Sequence, residues 1–118
     1  MNTSPAAYRI LIYGDSLTWG RNPRSFERFP ASIRWTGLLQ KQLGEDFEII
    51  EEGLRGRTLW GENSFFPHRN GLEQFGPIFA SQVPLDLVVI MLGTNDLASR
   101  SATEIASGIP KYLEAVQF

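Results

Sequence analysis

Cysteine is absent from this chain of 118 residues. That excludes disulfide frameworks, cysteine zinc sites and thiol nucleophiles together. Histidine occurs once, at His68. Any mechanism that draws two histidines from this chain is therefore excluded, a HExxH metalloprotease among them. No run of 18 apolar residues exists, so no transmembrane helix and no membrane partner are expected. Residues Met1 to Tyr8 are small and polar and lack the basic-then-apolar order of a signal peptide. The formal charge is only −2, and no long basic block stands out. Nucleic acid is accordingly not an expected partner. Together these absences favour a cytoplasmic protein.

What is present is ordinary globular material. Apolar residues make up 42% and charged residues 20%, which argues against disorder at a length suited to one domain. Residues 1–7 read as a short flexible arm. Tyr8 to Tyr13 is a compact β-prone run stopped by Gly14. Residues 20–32 are loop-like, punctuated by Gly20, Pro23 and Pro30. Trp35, Leu38, Leu39 and Leu43 recur at helical spacing before Gly44, which predicts a helix over 32–43. Phe47 to Glu51 predicts a second strand, ended by Gly53. Residues 54–70 have no clear period. A poorer helix is predicted between Gly71 and Gln82, interrupted at Gly76-Pro77. Leu85 to Leu92 is the strongest strand signal, closed by Gly93. Ser101 and Glu104 form a capping-box pattern. The helix it opens carries Ile105, Ile109, Leu113 and Val116, with Pro110 as an expected kink.

Apolar strands alternating with helices indicate α/β architecture, a parallel sheet covered on both faces in three layers of the flavodoxin-like kind. In the strand order 2-1-3-4-5, strand 85–92 needs a fourth strand beside it. Without one it is a bare apolar edge. The last helix reaches Val116-Gln117-Phe118 with no stop signal. The expectation is an incomplete domain, with residues 1–118 as its N-terminal part; a partner chain covering the edge is the alternative.

Each strand is followed by a polar, glycine-bearing segment: Gly14-Asp15-Ser16-Leu17, Gly53-Leu54-Arg55-Gly56-Arg57-Thr58 and Gly93-Thr94-Asn95-Asp96. Open α/β sheets bind ligands beyond the carboxyl ends of their strands, near the point where strand order reverses. With strand 1 between strands 2 and 3, all three segments are expected to meet there. These segments, in this order, resemble the first three blocks of the GDSL or SGNH hydrolase family. Ser16 to Gly20, Arg34 to Gly37 and Pro84 to Asp96 are similar to its bacterial arylesterase and acyltransferase group, mycobacterial acyltransferases included. The resemblance runs from about Ile10 onward.

The resemblance implies roles. Ser16 would be the nucleophile, and a serine hydroxyl attacks well only when a base takes its proton. The oxyanion would be held by the N–H groups of Ser16 and Gly56 and by the side-chain amide of Asn95. An asparagine amide offers two uncharged donors, and a glycine lets the backbone approach a substrate closely. Leu17 and Trp19 would line the substrate site. The family's DxxH segment, which supplies the acid and the histidine base, is not found in these residues. The implied activity is that of a serine esterase or acyltransferase on small acyl esters through an acyl-enzyme at Ser16, with no cofactor and no metal. A homo-oligomer is a further expectation. The competing reading is a catalytically incomplete truncated or split module that needs a partner segment. A phosphate-binding flavodoxin-like domain is disfavoured, since no GxxxxGK[ST] is present.

The same residues have plainer uses. Ser16 would serve as a helix N-cap, Asn95 as an Asx-turn residue and Gly56 as a turn glycine, with Gly53 a rival for its role. Asp15 and Asp96 read as structural hydrogen-bonders of their loops. Arg55 and Arg57 read as solvated, or paired with Glu51 and Glu52. Trp60, Phe65 and Phe66 read as packing under loops, as part of an apolar acyl or alcohol pocket, or as an oligomer contact. His68 is tempting as the base, but it falls in the wrong segment for the family and is expected at the surface or an interface.

Overall fold

The computed structural model describes residues 2–117. Met1 of the expected arm and Phe118 of the expected final helix lie outside the described residues. The chain divides into two compact units. The first runs to Arg55 and adds Pro84–Met91; the second holds Gly56–Val83 and the residues from Leu92 on.

The first unit is built on three parallel strands, β1 (Tyr8–Gly14), β2 (Phe47–Gly53) and β3 (Leu87–Met91), in the order β2-β1-β3. This is the expected order, with the first strand in the middle. The central strand buries Leu11, Ile12 and Tyr13 completely or nearly so; apolar residues at consecutive positions of a parallel strand point to both faces and need cover on each. Gly14 pairs with Gly53 on one side and with Met91 on the other. All three strands therefore end at one level, and the three glycine-bearing segments leave the sheet from its carboxyl edge.

β3 is shorter than the expected 85–92. The Asp86 carboxylate accepts the N–H of Arg9 at 2.8 Å and the Asp86 N–H donates to the Arg9 carbonyl at 2.9 Å, while the paired register runs from Leu87 to Met91. Among the described residues β3 pairs with β1 alone. Leu87 and Met91, four positions apart and so on one face, are 45% and 41% exposed. The apolar edge expected from the sequence is present.

Two helices of this unit pack on β2: α1 (Ser16–Trp19) and α2 (Trp35–Leu43). The helix expected from residue 32 starts later. Arg34 is extended at ψ 142°, and a side chain at Gly37 would lie 1.7 Å from the carbonyl oxygen of Ala31. The chain turns back on α2 there, which takes residues 31–34 out of the helix. Residues 20–29 form a tight hairpin in which Phe29 N–H donates to the Gly20 carbonyl at 2.7 Å and Arg21 sits opposite Arg28. In the expected arm, Asn2 Nδ2 donates to the carbonyls of Glu45 and Phe47 at 2.7 and 3.1 Å.

The second unit is helical. Helix α3 (Gly71–Gln82) is capped by Asn70, whose side chain accepts from Glu73 N–H. It runs through Pro77 without the expected interruption. Pro77 lies on the exposed side, while Gly71, Phe75 and Phe79 form a buried stripe on both sides of it. Packing thus outweighs the one hydrogen bond that proline removes. Phe75 rests on Tyr112 with ring centres 4.9 Å apart. A 3₁₀ helix at Thr94–Ala98, which the sequence reading did not foresee, follows β3 in the chain.

The expected single C-terminal helix is two, α4 (Ala102–Ala106) and α5 (Ile109–Ala115). The Ser101–Glu104 capping box is formed in both directions. Pro110 starts α5 instead of kinking a longer helix, a position where its missing N–H removes nothing. The break falls at Gly108, where a side chain would lie 2.3 Å from the Trp60 indole. Ile105 and Tyr112 are the buried residues of the pair, while Ile109 and Leu113 are 49% and 58% exposed. No helix of the described residues is long and apolar enough to cross a membrane.

Candidate functional site

Ser16 is the first residue of α1, directly beyond β1. It does not cap the helix. Asp15 does, its buried carboxylate accepting the N–H of Leu17 at 3.0 Å. Ser16 is half-buried, and its carbonyl takes the N–H groups of Gly20 and Arg21 at 2.9 and 3.0 Å. Its hydroxyl makes no hydrogen bond among the described residues. That leaves the oxygen available to a substrate or a base. Leu17 is 64% exposed, and Trp19 is half-buried.

The α1 backbone lies directly on the end of β2. A side chain at Gly53 would come within 2.2 Å of Trp19 N. Glycine is required there by close packing, which explains Gly53 without an oxyanion role. Two positions earlier, Glu51 gathers a cluster of cations. Its carboxylate accepts from Arg34, from Thr36 and, at 3.3 Å, from Arg28. Burial pushes the Glu51 carboxyl up. The hydrogen bonds from Arg34 and Thr36 and the charges of Arg34 and Arg28 together outweigh that and hold it below the ordinary carboxylate range. Arg28 also donates through Nε to the Trp19 carbonyl at 2.7 Å, and Arg28 and Arg55 both stand against the Trp19 ring.

In the second unit, Gly56 is buried at φ +82°, a left-handed conformation that favours glycine. Its carbonyl accepts Asn63 Nδ2 at 2.7 Å, while its N–H makes no hydrogen bond among the described residues. Asn95 stands on the 3₁₀ helix and donates from Nδ2 to the Arg57 carbonyl at 3.1 Å. The structure therefore brings the second and third motif segments together. Asp96 is fully buried and fastens the same loop. Its carboxylate accepts the N–H groups of Leu59 and Trp60 at 2.8 and 3.3 Å and meets Arg100 at 3.4 Å. Arg100 lies over the Trp60 ring and donates to the Trp60 carbonyl, while the Tyr112 hydroxyl donates to the Leu59 carbonyl.

Other sequence expectations fare differently. Arg57 is not solvated: it is 4% exposed and reaches Gln74 at 3.4 Å. His68 is exposed, in a left-handed backbone conformation at φ 58°, with its carbonyl accepting Gln74 Nε2 at 2.8 Å. Sequence reasoning missed Arg28, Arg100 and Tyr112, and named Glu51 only as a partner for Arg55 and Arg57. Only a cluster of arginines across residues 21–34 hinted at the first, and nothing in the sequence marks which carboxylate gathers them.

Residues 12–117 match the model of the GDSL-like Lipase/Acylhydrolase family. The chain belongs to that family. Among solved structures it is similar to the native aryl esterase of M. smegmatis, with 45% identity and a TM-score of 0.84 over 93% of this chain and 54% of the other. It is similar to Est24, a carbohydrate acetylesterase from Sinorhizobium meliloti, at 41% identity and a TM-score of 0.85 over 92% and 54%. It also resembles a putative arylesterase from Agrobacterium tumefaciens, at 36% identity and a TM-score of 0.82 over 91% and 53%. The chain thus spans about half the length of these relatives. A comparison with curated proteins finds no match.

Proposed function

We propose that the chain carries the nucleophile and the oxyanion donors of a carboxylic ester hydrolase acting on small acyl esters. The observation that carries this reading is Ser16 at the head of α1 with an unengaged hydroxyl, inside a family match that spans residues 12–117. The aryl esterase and acetylesterase names of the similar proteins support small aryl and acetyl esters as the substrate class.

In this reading Ser16 Oγ forms a bond to the ester carbonyl carbon as its proton passes to a base. The negative charge moves to the carbonyl oxygen and is held by the N–H groups of Ser16 and Gly56 and by the Asn95 amide. Collapse expels the alcohol, which takes the proton back from the base, and leaves the acyl group on Ser16. Water or a second alcohol then releases it, completing hydrolysis or acyl transfer. Leu17 and Trp19 line the acyl or alcohol pocket. The base is a histidine of the DxxH type, a segment that these 118 residues do not contain. The protein works in the cytoplasm on a diffusible ester and needs neither cofactor nor nucleic acid.

A second reading, a split or incomplete module that gains activity from a partner segment, is favoured by the open β3 edge and by the half-length match. The test of the main reading is labelling of the intact protein by a serine-directed phosphonate, followed by mapping of the adduct. The adduct is expected on Ser16. Labelling elsewhere, with Ser16→Ala fully active, overturns the assignment.

A further inference from the structure

We propose that Arg28 is a positioning residue for the ester site: anchored on Glu51, it fixes the carboxyl end of the serine helix and the Trp19 ring, and so sets the acyl size the site accepts. The proposal rests on the functional reading above. Its parts all lie in the first unit.

Helix α1 has only four residues and cannot hold its own end. The last carbonyls of a helix have no partner within it. Arg28 supplies one from outside, its Nε donating to the Trp19 carbonyl at 2.7 Å. The same guanidinium reaches Glu51 through Nη2 at 3.3 Å and lies 5.4 Å from the centre of the Trp19 ring. One planar group thus binds the backbone of Trp19, faces its ring, and ties both to strand β2. The fork geometry of arginine allows this; a lysine ammonium has no rigid fork with which to serve two directions at fixed spacing.

The anchor is itself held. Glu51 is gripped by Arg34 and Thr36 at the start of α2. Arg34 donates in addition to the Phe29 carbonyl at 2.9 Å, at the foot of the hairpin that carries Arg28. Across that hairpin Arg28 stands opposite Arg21, and two like charges directly opposed on a ladder repel. Glu51 offsets this and selects the direction in which Arg28 extends. On the other side, contact with Gly53 leaves the α1 backbone no room to retreat. Trp19 is consequently clamped at its N–H side by the sheet, at its carbonyl by Arg28, and at its ring by Arg28 and Arg55. It stands three residues after Ser16 on the same short helix, and in the functional reading above it lines the acyl or alcohol pocket.

The test uses the intact protein, Arg28→Lys as the conservative variant and Glu51→Gln as a second that keeps shape and removes the anchor. The ratio of kcat/KM for p-nitrophenyl acetate over p-nitrophenyl hexanoate is expected to fall about tenfold, the scale on which pocket walls discriminate alkyl groups. In a Trp19→Ala background, Arg28→Lys should no longer move the ratio, because the wall it positions is gone. A purely structural role would lower Tm and leave the ratio and its dependence on Trp19 unchanged. With 5-fluorotryptophan in place of the three tryptophans, the Trp19 fluorine resonance should shift or broaden in Arg28→Lys while those of Trp35 and Trp60 stay put. An unmoved Trp19 resonance, or an unmoved ratio in a protein whose Ser16 takes up phosphonate, overturns the proposal alone. No phosphonate uptake at Ser16 in the wild type overturns the functional reading and this proposal with it.

Discussion

Asn95 donates from Nδ2 to the carbonyl of Arg57 at 3.1 Å, joining two motif segments 38 positions apart in the sequence. The bond uses one of the two amide hydrogens and fixes the plane of the amide, leaving the second N–H for the oxyanion role proposed above. An Asn95→Ala variant loses that donor. Its kcat is expected to fall by about 10²–10³, with KM little changed, as for removal of one oxyanion donor. Asn95→Asp should be at least as damaging, because a carboxylate would face both the Arg57 carbonyl and the developing negative charge. Steady-state kinetics on an aryl acetate checks both. A variant with normal kcat removes Asn95 from the site.

The Tyr112 hydroxyl is buried and donates to the Leu59 carbonyl, the residue whose N–H is taken by Asp96. Tyr112→Phe leaves that carbonyl without its partner in a buried place. The expected cost is about 1–3 kcal/mol of stability. Urea unfolding should show a lower midpoint with an unchanged slope. An unchanged midpoint would mean that water replaces the hydroxyl.

Elements whose signal is local were legible before the structure. The central strand was marked by unbroken apolar residues between polar ends, and the Ser101–Glu104 capping box was read from four letters. The order of the strands followed from the flavodoxin-like pattern 2-1-3-4-5, which the alternation of strands and helices indicated. The C-terminal half was less legible because one residue type has two uses. Pro110 inside an apolar period reads as a kink, yet it starts a helix once Gly108 is pressed against Trp60 from a distant segment. The site divides the same way. Ser16, Gly56 and Asn95 sit in short patterns with known chemistry. Arg28 and Glu51 find each other across 23 positions through a hairpin that only folding creates.

The Glu51 carboxyl titrates below its ordinary value of 4.5, because its arginine and threonine partners outweigh burial. A carboxylate with a depressed folded pKa adds stability that is fully present above the unfolded value and is lost as pH falls through the folded one. Stability of the wild type should therefore drop as pH falls below about 4.5, and Glu51→Gln should drop less steeply over the same interval while starting lower at neutral pH. Urea midpoints across that pH range decide it. Parallel curves would mean that the cluster contributes nothing to the acid limb.

His68 projects from an exposed loop of the second unit, with its backbone held by Gln74. A general base must come within about 3 Å of the serine oxygen during reaction. The intact protein carrying His68→Ala is expected to keep most of its aryl acetate turnover. A loss of several orders of magnitude, with circular dichroism and Tm unchanged, would make His68 the base.

A polypeptide of these 118 residues alone contains no histidine besides His68. If His68 is not the base, Ser16 in that polypeptide has none, and its hydroxyl stays protonated near neutral pH. The proposed oxyanion donors remain, and in triad enzymes such residual machinery leaves roughly 10³–10⁴-fold catalysis over water. The polypeptide should turn over an activated aryl acetate faintly and ordinary esters hardly at all. The edge of β3 gives it a second property. Leu87 and Met91 are 45% and 41% exposed beside backbone groups that no further strand pairs among the described residues. Such an edge templates pairing with another chain. Self-association is therefore expected, and Met91→Lys, which places a charge on the edge, should reduce it. Light scattering and aryl acetate hydrolysis on the purified polypeptide test the two halves together. A monomer with full esterase turnover would refute both, and would require a base among the residues described above.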